Sequence, residues 1–262
     1  MNGLNPSSSR TILITGAAQG IGAGTARWFR KSGVRSLVLV DRAGPILEAV
    51  AKDLRESADA PTVETCVMDI GRREAMATEL RPLLERQAPV DVLVNSAGIA
   101  DENEPEDVDA WHRILNVNLH GAYYATVEAL RWMPDGGRII NVSSLLGRAG
   151  KIRNTAYCAS KHALLGFTKG LALDLASRRI TVNAVLPGWV DTPMLQRELH
   201  QQAAFIGSEP EHLIRKAQRQ MPLKRFVTVD EVAALIGFLG SDDAAGLTAQ
   251  GYTIDGGYTC GM

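Results

Sequence analysis

Six short β-rich apolar runs punctuate the chain: TILIT (11–15), SLVLV (36–40), TVETCVM (62–68), VDVLVN (90–95), RIINVS (138–143) and ITVNAVL (180–186). Stretches of helical periodicity separate them, at about 22–32, 45–57, 72–87, 109–132, 155–178 and 229–240. A strand that is apolar on both faces must be covered on both, and strands joined by helical crossovers pair in parallel. The pattern therefore predicts an α/β fold, a doubly wound parallel sheet with helices on both faces. Such a sheet binds ligands at the carboxyl ends of its strands, near the point where the strand order reverses. With 262 residues, 45% of them hydrophobic, the chain can bury a core for a single domain over 11–262, behind a flexible tail at 1–10. No internal repeat or low-complexity linker interrupts it.

Charge and cysteine content narrow the function classes. A formal net charge of -1, with acids and bases scattered, gives no electrostatic footprint for nucleic acid or an anionic membrane. A small-molecule partner is expected instead. Three cysteines, Cys66, Cys158 and Cys260, suit neither a disulfide framework nor a tetrahedral metal site, and read as reduced cytoplasmic thiols. No secretory leader and no membrane-length apolar run is evident, so an uncleaved, cytoplasmic protein is expected. The acidic segment DENEPEDVD (101–109) reads as a solvated loop ahead of a helix.

The stretch TGAAQGIG (15–22) lies between the first strand and the first helix. Glycine there permits backbone angles closed to other residues and removes the Cβ that would block a ligand, while the helix N-terminus offers amide groups to an anion. A pyrophosphate fits such a turn; a tight turn without a ligand is the alternative. Gly16, Gly20 and Gly22 follow G-x-x-x-G-x-G rather than the dinucleotide spacing G-x-G-x-x-G. At the end of the second strand stands Asp41, placed to accept hydrogen bonds from adenosine ribose hydroxyls and to repel a 2′-phosphate. Gln19 adds no positive charge to the turn, although Arg42 follows Asp41 directly. The expected cofactor is NAD in preference to NADP.

Tyr157 and Lys161 are four apart in a helical pattern, hence on one face. A free tyrosine, with a pKa near 10, is a poor base at neutral pH; a nearby ammonium favours the phenolate, and a shift of about three units needs roughly 4 kcal/mol. Ser144 lies just past the strand RIINV, thirteen residues before Tyr157, so both hydroxyls can reach one crevice. A Tyr-x-x-x-Lys pair alone is also what an ordinary surface helix carries.

Taken with LPGWVDTP (186–193), these motifs resemble the short-chain dehydrogenase/reductase family, from Thr11 to about Gly257. The resemblance implies a Rossmann-like oxidoreductase that moves a hydride between a nicotinamide cofactor and a secondary alcohol or ketone. It makes Tyr157 the general acid/base, Lys161 its pKa-lowering partner and ribose ligand, Ser144 the donor to the substrate oxygen, and Asn118 the support of a water relay. It places Gly16, Gln19, Gly20, Ile21, Gly22, Asp41, Asp69, Ile70, Asn95, Gly98, Val190 and Thr192 at the cofactor, with Tyr157 and Lys161. Ser143 is expected to pack rather than react, and no metal is needed. Helices 109–132 and 155–178 resemble those of the family's four-helix interface, so a homotetramer is implied. An NADPH-dependent ketoreductase of the 3-oxoacyl or polyketide type and a non-catalytic dinucleotide sensor are the alternatives.

The segment 193–222 resembles a substrate lid. Its Leu195, Leu199, Phe205, Leu213 and Met221 fit either an apolar substrate pocket or the packing face of an amphipathic helix. Arg148, Lys151 and Arg153 fit either an anion site for the substrate or a solvated loop paired with the acids at 101–109. His162, His200 and His212 carry no metal-ligand spacing.

Overall fold

The computed structural model describes residues 9–56 and 59–261. Seven strands, β1 (Thr11–Thr15), β2 (Ser36–Asp41), β3 (Thr62–Val67), β4 (Val92–Asn95), β5 (Arg138–Val142), β6 (Thr181–Pro187) and β7 (Gly251–Ile254), form one sheet in the order β3-β2-β1-β4-β5-β6-β7. Every neighbouring pair is parallel. The order reverses between β1 and β4, which opens a crevice at their carboxyl ends. β1 and β5 are buried at every position, as strands covered on both faces must be.

Among the described residues, eight helices longer than one short turn surround the sheet: α1 (Gly20–Lys31), α2 (Gly44–Arg55), α3 (73–87), α4 (108–130), α5 (Thr155–Asp174), α6 (Pro193–Ile206), α7 (Pro210–Gln220) and α8 (Val229–Leu239). One core lies between the sheet and α1, α2 and α8; the other lies under α3, α4 and the end of α5. Small residues set the closest approach: a Cβ on Gly24 of α1 would stand 2.1 Å from Val229, and one on Gly237 of α8 would stand 2.3 Å from Trp28. α8 starts on a complete capping box, with Thr228 and Glu231 each satisfying the other's backbone amide.

Two predicted helices are not regular. α3 carries a π-helical turn at Met76–Leu80, and α4 carries one at Asn116–Gly121. The seventh strand escapes the sequence pattern because it is short, glycine-bounded and only partly buried. Residues 1–8 of the expected tail lie outside the described residues. Arg10, its last member, is held in place: it donates to the Gly240 carbonyl (2.7 Å) and pairs with Asp242.

Candidate active site

The glycine turn is dictated by contact. Gly16 has φ +69°, and a Cβ there would stand 2.7 Å from the backbone of Ala97; a Cβ on Gly22 would meet the Gly16 carbonyl oxygen at 2.1 Å. Only a chain without side chains at these points can fold the turn against the β4 loop and start α1 beneath it. Gln19, the residue preceding α1, makes no side-chain cap, and no acid lies in the first turn, so the amides of that turn are left to a ligand. This cradle fits the pyrophosphate of a dinucleotide.

A cleft of about 610 Å³ opens over the turn. Of the residues expected at the cofactor, Gly16, Gln19, Gly20, Ile21, Asp41, Asp69, Ile70, Gly98 and Thr192 line it. Gly22, Asn95, Val190, Tyr157 and Lys161 lie outside this lining. Asn95 is 3% exposed and donates to Thr126 (3.1 Å) and Asn141 (2.9 Å), bracing β4 against β5 and α4. Val190 is buried at the base of the lid, bridged to Val227. The Asp41 carboxylate is fixed by two amides, one oxygen accepting from Ala18 and the other from Ala43, both at 3.0 Å. Arg42 also lines the cleft, with no ion pair to the described residues.

At the other side of the crevice, Ser144 begins the short turn Leu145–Gly147. Its Oγ accepts from the Leu146 amide (3.1 Å), which leaves its O–H free to donate. Lys161 stands one turn after Tyr157 on α5, with Nζ 5.6 Å from the phenol ring centroid, and donates to the Val142 carbonyl (2.9 Å) at the end of β5. Asn118, inside the π-helical turn, is buried: its Oδ1 accepts from the Ile99 amide (2.8 Å), and its Nδ2 donates to the Ile99 carbonyl (3.0 Å) and to Ser160 (3.1 Å). Ser143 packs, donating to the Lys161 carbonyl (3.0 Å). The predicted Ser144, Tyr157, Lys161 and Asn118 thus converge at one edge of the sheet.

Burial governs the charges here. It pushes the Tyr157 phenol up to about 12; the neighbouring Ser144 hydroxyl pulls it down, and the Glu198 charge raises it further. Burial also lowers Lys161 to about 8. The expected depression of the Tyr157 pKa by Lys161 is therefore not found in this structure. Desolvation wins, and the ammonium is directed to Val142 rather than to the phenol. A protonated, buried phenol beside a hydroxyl donor is suited to delivering a proton to a developing oxyanion.

The segment expected to be a lid is helical, α6 and α7. Leu195, Leu199, Leu213 and Met221 join the core behind it, while Phe205 is 81% exposed, so these five do not form an apolar substrate pocket. The cleft side of α6 instead presents Met194, Arg197, Glu198 and Gln201. Sequence reasoning did not assign these, yet the signal was there: Thr192 and Pro193 form a helix start, and 194, 197, 198 and 201 then fall on one face. The three loop cations are all engaged. Arg148 donates to Gly251 and Thr253, Lys151 pairs with Glu198, and Arg153 pairs with Glu102 and Glu104 of the acidic segment.

Residues 16–259 match the family model described as enoyl-(acyl carrier protein) reductase. The chain is 37% identical to a ketoacyl reductase assigned to the monensin polyketide synthase of Streptomyces virginiae, over 97% of this chain and 98% of that one. It is 34% identical to a D-beta-hydroxybutyrate dehydrogenase of Rhizobium meliloti, over 96% and 99%. Among solved structures, an actinorhodin polyketide ketoreductase variant with NADPH superposes at a TM-score of 0.89 with 34% identity, covering 97% of this chain and 98% of that one. The chain belongs to the short-chain dehydrogenase/reductase family. It is an oxidoreductase of the hydride-transferring kind, acting between a nicotinamide dinucleotide and an alcohol or carbonyl compound.

Proposed function

We propose an NAD-linked dehydrogenase/reductase for a small secondary alcohol or ketone. The observation that carries the reading is the grouping of Ser144, Tyr157, Lys161 and Asn118 next to Gly98, which lines the cleft together with the glycine turn and Asp41. When bound, the dinucleotide supplies or receives the hydride. The first-turn amides of α1 would hold its diphosphate, and Asp41, already fixed by two amides, would accept hydrogen bonds from its ribose hydroxyls. In reduction the Tyr157 phenol gives its proton to the carbonyl oxygen while the Ser144 O–H, paired with the phenol in this structure, turns to steady that oxygen. The Lys161 ammonium is the group that returns a proton to the phenol, through water, with Asn118 supporting that path. In oxidation the steps reverse.

Arg42 favours a second reading, NADPH-dependent reduction of a 3-oxoacyl or polyketide-type ketone, since its free guanidinium in the cleft matches a 2′-phosphate. The relatives named above support it too. A homotetramer is proposed from the apolar side chains that α4 and α5 leave exposed, Val108, Trp111, Tyr123, Val127 and Leu173. Three free thiols support a reducing, cytoplasmic setting.

Nicotinamide absorbance with NADH and with NADPH, across ketones and secondary alcohols, tests the reading. A preference for NADH is expected, and equal turnover with NADPH assigns the second reading. Tyr157→Phe is expected to lower kcat/KM by about 10²–10⁴-fold at unchanged dinucleotide affinity. Full activity in this variant removes the proposed mechanism.

A further inference from the structure

The lid carries one carboxylate into the cleft, and it does not stand alone. Glu198 of α6 lines the cavity and is bound to Lys151, on the loop that joins the Ser144 turn to α5. Their side chains are only 30% and 34% exposed, so the pair is less screened than a free surface pair. The pair ties the cleft side of α6 to the loop that runs from Ser144 to Tyr157, and the Glu198 charge acts in the same direction as burial on the Tyr157 phenol. The other two loop cations lie elsewhere: Arg148 is anchored on β7, and Arg153 is taken by Glu102 and Glu104, with its guanidinium 6.0 Å from the Phe205 ring centroid. Lys151 is therefore the loop cation tied to the cleft, through Glu198, which occupies it.

Resting on the oxidoreductase reading above, we propose that Glu198 is a specificity-determining residue, a charge filter. By saturating Lys151 and presenting its own carboxylate at the mouth, it turns away substrates with a free carboxylate or phosphate. A carboxylate held by one ammonium keeps lone pairs for other donors, so the same group accepts a hydrogen bond from a second hydroxyl of a neutral substrate. An anionic substrate has to displace an intramolecular partner and then lie beside the charge it displaced. A hydroxyl-bearing neutral one does neither.

The test uses 3-hydroxybutyrate and butane-1,3-diol, which match in length and differ in a carboxylate against a hydroxymethyl group. For the full chain saturated with dinucleotide, kcat/KM is measured for both, and calorimetry gives both dissociation constants, in wild type, Glu198→Gln and Glu198→Gln with Lys151→Met. The wild type is expected to favour the diol. Glu198→Gln keeps the side-chain shape, frees Lys151, and is expected to shift the ratio at least 10-fold towards the acid and to tighten acid binding. Adding Lys151→Met is expected to cancel both gains. An unchanged ratio and unchanged or undetectable acid binding in Glu198→Gln overturn the filter, as does a gain that survives Lys151→Met. If neither compound turns over in any variant, the reading of these alcohols as substrates fails, and calorimetry still decides the filter.

Discussion

The two walls of the cleft are built on opposite terms. On the sheet side, Lys161, Asn118 and Ser143 are polar groups held inside the fold, each tied to a backbone carbonyl or amide. On the lid side, α6 puts Leu195, Leu199 and Ala203 into the core and turns Arg197, Glu198 and Gln201 towards the cleft. One wall carries a stability cost in order to place reactive groups; the other gains stability from its back and leaves its front nearly free to vary. Reaction chemistry is therefore tied to the fold, whereas substrate choice is not.

Four variants sharpen or break this contrast. Leu199→Ala, which opens a cavity behind α6, is expected to cost about 2–5 kcal/mol in denaturant unfolding. A loss under 1 kcal/mol means that the lid is not fused to the core. Lys161→Met is expected to abolish turnover yet stabilise the protein at pH 7 by up to about 3 kcal/mol, since a folded pKa of about 8 against the unfolded value near 10.5 marks a buried charge. The sign fixes the pH window. Below pH 8 both states hold the proton and the penalty is complete; it fades as pH rises through 10.5, and the variant's advantage fades with it. A gain that ignores pH rules out desolvation as its cause. Thr228→Ala, which removes the α8 cap outside both walls, is expected to cost about 1 kcal/mol as a lowered Tm. Phe205→Ser, on the exposed front of the lid, is expected to stay within about 0.5 kcal/mol of wild type.

The same division decides how much could be read from the sequence. Strands such as β1 and β5 were legible because burial on both faces writes a continuous apolar run. The glycine turn was legible because Gly16 and Gly22 answer steric demands that no other residue meets. Ser144, Tyr157, Lys161 and Asn118 were named from resemblance and helical spacing, and the fold places them near one another. The electrostatic state of Tyr157 was not, because desolvation depends on what surrounds a group and sequence spacing reports only neighbours along the chain. The two readings of the 193–222 apolar residues stayed open for a related reason. Periodicity identifies an apolar stripe but not which way it points, and the stripe of α6 points into the core. The pairing of Lys151 with Glu198 spans 47 positions and leaves no local trace.

The π-helical turn around Asn118 works as a phase correction. Ala110, Ile114, Asn118 and Ala122 are all buried at strict four-residue intervals, although an α-helix repeats every 3.6 residues. Uncorrected, three such steps would carry the last residue about 120° around the axis from the first. The widened turn absorbs the excess. It lets one helix hold Ile114 in the small cluster beneath Tyr157, lock Asn118 to Ile99, and still deliver Ala125 and Ala129 to the main core. A chain shortened by one residue anywhere in 116–121 could keep the core or keep the asparagine, but not both. The spare residue in that turn is thus the point where the length of the protein and the placement of Asn118 are fixed together.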